Sequence, residues 1–84
     1  MSISQIEILY NNSMRLKELR EEKNYKQEYV ANILGVKQNA YSQYETEKRQ
    51  IPTSALIVLA EHYDVSIDYL LGLTDIDTHF RPKN

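Results

Sequence analysis

Apolar residues recur along this chain at intervals of three and four rather than in the alternation that marks a half-buried strand, so the pattern predicts helices throughout. The stretch from Gln27 to Glu45, QEYVANILGVKQNAYSQYE, organises the rest. Val30, Ala31, Ile33 and Leu34 form an apolar stripe at helical spacing, and Gly35 cuts it off. Glycine enters the left-handed region without a Cβ penalty, so a sharp turn is expected there. Val36 resumes burial, and Tyr41 and Tyr44, three apart, are expected to point back toward the first helix. Ala31 is expected where the two helices touch, because a small residue lets helix axes approach closely.

The flanking segments read as further helices. Asn12 or Ser13 is placed to cap a helix running to about Lys23, with Leu16 and Leu19 inward and Arg15, Lys17, Glu18, Glu21 and Glu22 on a solvated charged face. Asn24 is a natural stop. Pro52 bars helix through the end of the loop TEKRQIP, and Ser54 is the expected cap for the apolar run Ala55 to Tyr63, in which Leu56, Ile57, Leu59, Ala60 and Tyr63 close the core. Ser66 caps a last short helix through Leu71, with Asp68 favourably placed in its first turn, and Gly72 ends it. Residues 1–12 have two readings. Ser4 with Glu7 has capping-box spacing, and Ile3, Ile6, Leu9 and Tyr10 recur helically, which makes a short extra helix; the alternative is a mobile arm. Residues 13–75 form the domain, and residues 76–84, with little to bury besides Ile76 and Phe80, form a loosely held tail.

On a helix advancing about 100° per residue, Gln38, Asn39, Ser42, Gln43 and Thr46 fall within roughly 140° of one another, opposite Ala40, Tyr41 and Tyr44. That face carries amides and hydroxyls and no charge. Amides read base edges by paired hydrogen bonds, as Asn or Gln does with adenine. A polar strip alone is more often solvated. What changes the reading is the sequence of small residue, glycine four on, apolar residue, then amide-rich helix.

This segment resembles the helix-turn-helix of the Xre, Cro and phage-repressor family. The likeness extends from about Arg15 to Asp75, through RLKELREEK, GVKQNAYSQYETEKRQIP and VSIDYLLGLTD. It implies an all-α, compact five-helix, lambda-repressor-like DNA-binding domain. It also implies that Gln38, Asn39 and Gln43, with Ser42 as a fourth, read bases in the major groove. Gln27 matches the glutamine that faces a DNA phosphate at the start of the second helix of the motif domain, where free N-H groups and the helix dipole favour an anion. Lys26, Lys37, Lys48 and Arg49 join it on the backbone, and Arg20 and Glu45 match the family's paired arginine and glutamate. Lys26 and Lys37 stand where the family usually has a capping Ser or Thr, a change costing on the order of 1 kcal/mol in local stability.

Composition narrows the alternatives. Eighty-four residues suffice for one domain with a modest core. Two glycines and two prolines agree with helix, and the lack of cysteine excludes disulfides and thiolate metal sites. Nothing resembles a signal peptide, and no apolar run approaches the roughly 20 residues of a membrane span, so a cytoplasmic protein is expected. The net charge of −2 opposes phosphate binding only as a sum: Lys23 to Gln50 carry +2, and Ile51 onward −3. The field is weak enough that a homodimer on a pseudo-palindromic operator is expected, with Leu70, Leu71, Leu73 and Ile76 at its contact surface. His62 and His79 have no partner at metal-ligand spacing, and there is no glycine-rich phosphate loop. No metal, cofactor, small-molecule ligand or enzymatic activity is therefore expected. The rival is a protein-interaction role on the same fold, as an antitoxin or antirepressor subunit. The amides at 38, 39 and 43 favour duplex DNA and a transcriptional regulator, most simply a repressor.

Overall fold

The computed structural model describes residues 1–10 and 14–81, with the side chains of residues 7–10 left out of the description. It is all-helical among the described residues: α1 (Ile3–Tyr10), α2 (Leu16–Glu22), α3 (Gln27–Leu34), α4 (Gln38–Glu45), α5 (Thr53–Tyr63) and α6 (Ile67–Leu70). Helices α2 to α6 make the five-helix domain, and α1 is the extra N-terminal helix. The core is a single cluster of Leu16, Leu19, Val30, Ala31, Tyr41, Tyr44, Ile51, Leu59, Ala60, Tyr63, Val65 and Leu70, to which each of α2 to α6 contributes. Leu34 and Val36 pack half-buried against it, and Ile33 is half-buried as well.

One device ends all five domain helices. A residue with positive φ follows each (Asn24, Gly35, Glu47, Asp64, Gly72), and the next residue's N-H reaches back five positions. Tyr25 bonds the Arg20 carbonyl, Val36 that of Ala31, Lys48 that of Gln43, Val65 that of Ala60 and Leu73 that of Asp68, at 2.9 to 3.0 Å. This is the Schellman pattern, which satisfies carbonyls that a helix end would otherwise leave bare.

Helix starts follow expectation less closely. Ser66 caps α6, its hydroxyl accepting from the Tyr69 N-H at 3.0 Å. Helix α5, however, begins at Thr53, with Pro52 in the N-cap position and no side-chain cap, so Ser54 lies inside the first turn rather than capping it. Proline's fixed φ, here −65°, with ψ at 150°, already supplies the extended geometry that an N-cap needs. In α1 the capping box is Ser2 with Gln5, not Ser4 with Glu7: Gln5 N-H donates to Ser2 Oγ at 3.2 Å and Ser2 N-H to Gln5 Oε1 at 2.7 Å. The expected caps Asn12 and Ser13 lie outside the described residues.

Two side chains differ from the pattern-based expectation. Ile57 is exposed, because it shares its side of α5 with the exposed Thr53, Ser54 and Glu61, one turn away on either side. Arg15, expected on the solvated face of α2, instead binds the far end of the chain. Its guanidinium donates to the carbonyls of Tyr69 (3.0 Å) and Thr74 (3.2 Å), pairs with Asp75 at 2.6 Å, and lies 4.3 Å from the centroid of the Tyr69 ring. Beyond it, Thr78 accepts from Ser66 N-H at 2.8 Å, the Asp64 carboxylate accepts from Phe80 N-H at 3.3 Å and meets His79 Nδ1 at 2.6 Å, and Phe80 packs against the core. Thr74 and Asp75 are thus bonded to Arg15 at the start of α2, and residues 78–80 to the α5–α6 turn.

Candidate nucleic-acid interface

Helix α4 is held from behind. Tyr41 and Tyr44 are buried on its inner side, and Lys37 precedes it in extended conformation without a side-chain cap. Gln38 and Asn39 are exposed, and Ser42 and Gln43 are half-buried at the margin of the same face. Thr46 is exposed, with its hydroxyl donating to the Ser42 carbonyl at 3.2 Å. The structure therefore puts the three amides on the side of α4 opposite the tyrosines.

The C-terminal end of α4 is fixed by a buried ion pair. Arg20 Nε donates to Glu45 Oε2 at 2.6 Å and Arg20 Nη2 to Glu45 Oε1 at 3.2 Å, a two-pronged contact with side chains only 13% and 3% exposed. Arg20 Nη1 also donates to the Tyr25 carbonyl at 2.9 Å, so one guanidinium ties α2, the α2–α3 turn and α4 together. Burial on its own would raise the Glu45 pKa. The hydrogen bond from Arg20, the nearby Tyr41 hydroxyl and the bond from Gln27 outweigh it, and the carboxyl is held below its ordinary range.

Gln27 opens α3 and its Nε2 donates to Glu45 Oε1 at 3.0 Å. Because a carboxylate only accepts, this contact fixes which way the amide points. One of its two N-H hydrogens is used in this contact. Lys26 sits in the N-cap position of α3, as Lys37 does for α4, so a lysine stands at the positive end of each motif helix.

The loop after α4 is tied to the same helix. The Gln43 carbonyl accepts from the backbone N-H of Lys48 (2.9 Å) and of Arg49 (3.3 Å), which ties the backbone of two exposed cationic residues to the last turns of α4. Glu45 is neutralised by Arg20, so its charge does not oppose theirs. Of the predicted backbone-contact residues, Gln27 is thus linked to α4 through Glu45, and Lys48 and Arg49 through the Gln43 carbonyl.

Two features escaped the sequence reading. The pairing of Arg15 with residues 69–75 spans 54 to 60 positions and leaves no local signal. The amide of Gln27 binds the Glu45 carboxylate, a contact that a role assigned from its position alone did not include. Among the described residues no group of three His, Cys, Asp or Glu side chains could hold a metal ion, and no helix is long and apolar enough to cross a membrane.

Residues 16–70 match the model of a family described as Helix-turn-helix. Three curated proteins of Bacillus subtilis (strain 168) are similar: the uncharacterized HTH-type transcriptional regulator YobD, 43% identical over 61 residues, covering 73% of this chain and 54% of that protein; the HTH-type transcriptional regulator AnsR, 41% over 58 residues, covering 69% and 50%; and the HTH-type transcriptional regulator ImmR, 40% over 62 residues, covering 74% and 49%. The chain spans about half the length of the curated relatives it matches. No solved structure is a match.

Proposed function

The chain belongs to the helix-turn-helix family of the Xre, Cro and phage-repressor type, and from that membership we propose that it is a sequence-specific, double-stranded DNA-binding transcriptional regulator. It acts as a repressor in the cytoplasm, as a homodimer on a pseudo-palindromic operator. The observation that carries this reading is the uncharged amide face of α4, held from behind by two buried tyrosines and the Arg20–Glu45 pair. A reading helix must present base-edge donors and acceptors in fixed positions, since each good bidentate contact discriminates by only about 1–3 kcal/mol.

Gln38, Asn39 and Gln43 read bases, with Ser42 beside them. Lys37, Lys48, Arg49 and Lys26 neutralise phosphates, and Gln27 offers its remaining amide hydrogen and the first turn of α3 to another. Contact with the operator leaves Leu71, Leu73 and Ile76 for the dimer surface. Leu70, expected there from the sequence, is fully buried in the core and takes no part.

The two classes of contact fail differently. Gln38→Ala and Gln43→Ala are each expected to cost about 1–3 kcal/mol on a selected duplex and little on a scrambled one. Lys48→Ala and Arg49→Ala are expected to weaken both duplexes alike. Titrations on the two duplexes at several salt concentrations check this. An unchanged ratio of specific to scrambled affinity in both glutamine variants would show that α4 is not the reader.

A further inference from the structure

Four hydrogen bonds close a ring at the end of α4. Gln27 Nε2 donates to Glu45 Oε1 at 3.0 Å. Arg20 takes both oxygens of that carboxylate, Nε on Oε2 at 2.6 Å and Nη2 on Oε1 at 3.2 Å. Its Nη1 donates at 2.9 Å to the carbonyl of Tyr25, two residues before Gln27, so the chain itself completes the circuit. Arg20 and Glu45 are nearly buried, and Gln27 is half-buried.

A glutamine side chain turns freely about every bond out to its amide, and it must give up that freedom to make a contact. Gln27 has already given it up. Its partner is ionised, and hydrogen bonds to ionised groups are roughly twice as strong as neutral ones. A carboxylate only accepts, so the amide meets Glu45 with its nitrogen and not with its oxygen. Glu45 is itself held in place, because Arg20 grips both of its oxygens. Arg20 also balances the carboxylate charge, which would otherwise repel an anion bound at the same amide.

We infer that Glu45 is a positioning residue for DNA binding. By holding the Gln27 amide in one orientation before DNA arrives, it pre-forms the phosphate contact at the start of α3, with one amide hydrogen on Glu45 and the other on a phosphate oxygen. The inference rests on the reading of Gln27 as a backbone contact given above. A buried pair that supports the fold alone leaves Gln27 and Glu45 energetically independent on DNA. A positioning residue couples them.

Binding measured in a double-mutant cycle separates the two roles. Gln27→Met keeps the length of the side chain and removes its donors, and Glu45→Gln removes the charge and one of the two acceptor oxygens. In the parent background Gln27→Met is expected to weaken binding to a selected palindromic duplex and to a scrambled one alike, by about 10-fold. In the Glu45→Gln background the same change is expected to cost less than about 2-fold, with the folded fraction of each variant checked by circular dichroism at the binding temperature. An equal factor in both backgrounds would overturn the positioning role and leave Gln27 as a phosphate contact. Unchanged binding of Gln27→Met in the parent background would overturn the phosphate contact itself, and the inference with it. A second measurement depends on no variant. In the DNA-free parent chain, NMR is expected to show the side-chain amide hydrogens of Gln27 exchanging with water at least about 10-fold more slowly than those of the exposed Gln38. Equal exchange rates would overturn the inference, since an amide as free as one in solvent is not held.

Discussion

At the scale of single residues, the Arg20–Glu45 pair carries the most consequence. Its members are nearly buried, so removing one strands the other's charge, at a cost of about 3 to 5 kcal/mol. Surface pairs contribute under about 1 kcal/mol. A double-mutant cycle on urea unfolding with Arg20→Ala, Glu45→Ala and the double variant is expected to show strong coupling. The depressed Glu45 pKa adds a pH signature. A carboxylate held below its unfolded value contributes stability that is fully present above that value, about 4.3, and lost as pH falls through the lower folded pKa. Urea midpoints measured from pH 7 down to pH 2 should therefore fall below pH 4 less steeply in Glu45→Gln than in the parent, the variant having lost the pair already. Tyr63 behaves oppositely. Burial pushes its hydroxyl up to about 12, and the stability this implies is present below the ordinary tyrosine pKa of about 10 and lost as pH rises toward the folded value. Its hydroxyl and that of Tyr41 have no partner in hydrogen-bonding geometry among the described residues. Tyr63→Phe is accordingly expected to be neutral or stabilising by thermal unfolding, since it deletes a buried polar atom that gains no hydrogen bond.

At the scale of elements, the shared ending of α2 to α6 shows what local sequence does and does not announce. Gly35 was legible because one residue type suits the left-handed turn, and Ser66 because a serine before an apolar turn with Asp in it is a specific capping pattern. Glu47 takes the same left-handed conformation with no such signal in its side chain. The α1 start had two overlapping Ser-x-x-acid-or-amide patterns, Ser2 to Gln5 and Ser4 to Glu7, and spacing does not choose between them. For the candidate site, the amide face of α4 followed from helical geometry, whereas the Arg15 clamp, being contact across most of the chain, had to be seen. Gly35→Ala tests the turn. A Cβ there meets nothing within 4 Å, so the expected cost is the left-handed backbone alone, about 1 to 2 kcal/mol by thermal unfolding, with no steric addition. Arg15→Ala tests the clamp. It is expected to raise amide hydrogen exchange at residues 74–78 and leave exchange in α3 and α4 unchanged, because the contacts of the latter run through Arg20 instead.

At the scale of the whole molecule, a chain of net charge −2 that binds a polyanion must do so through the distribution of its charge. Lys26, Lys37, Lys48 and Arg49 are exposed and flank α3 and α4 in sequence, while the acidic excess lies from Ile51 onward, away from the motif in sequence and partly engaged, Asp64 with residues 79 and 80 and Asp75 with Arg15. The four cations proposed to neutralise phosphates in each subunit set a quantitative expectation. Each phosphate neutralised contributes about −0.9 to the slope of log K against log salt, so one subunit gives about −4 and a two-fold dimer about −7. The slope thus counts subunits independently of footprinting or hydrodynamics. It also separates the two parts of the proposal. On a palindromic duplex a slope near −7 is expected. Lys48→Ala should bring it to about −5, because the loss occurs once in each subunit. A slope near −4 that falls by only about 1 in Lys48→Ala would place a single subunit on the DNA, and the two-fold operator would then be wrong even with α4 as the reader.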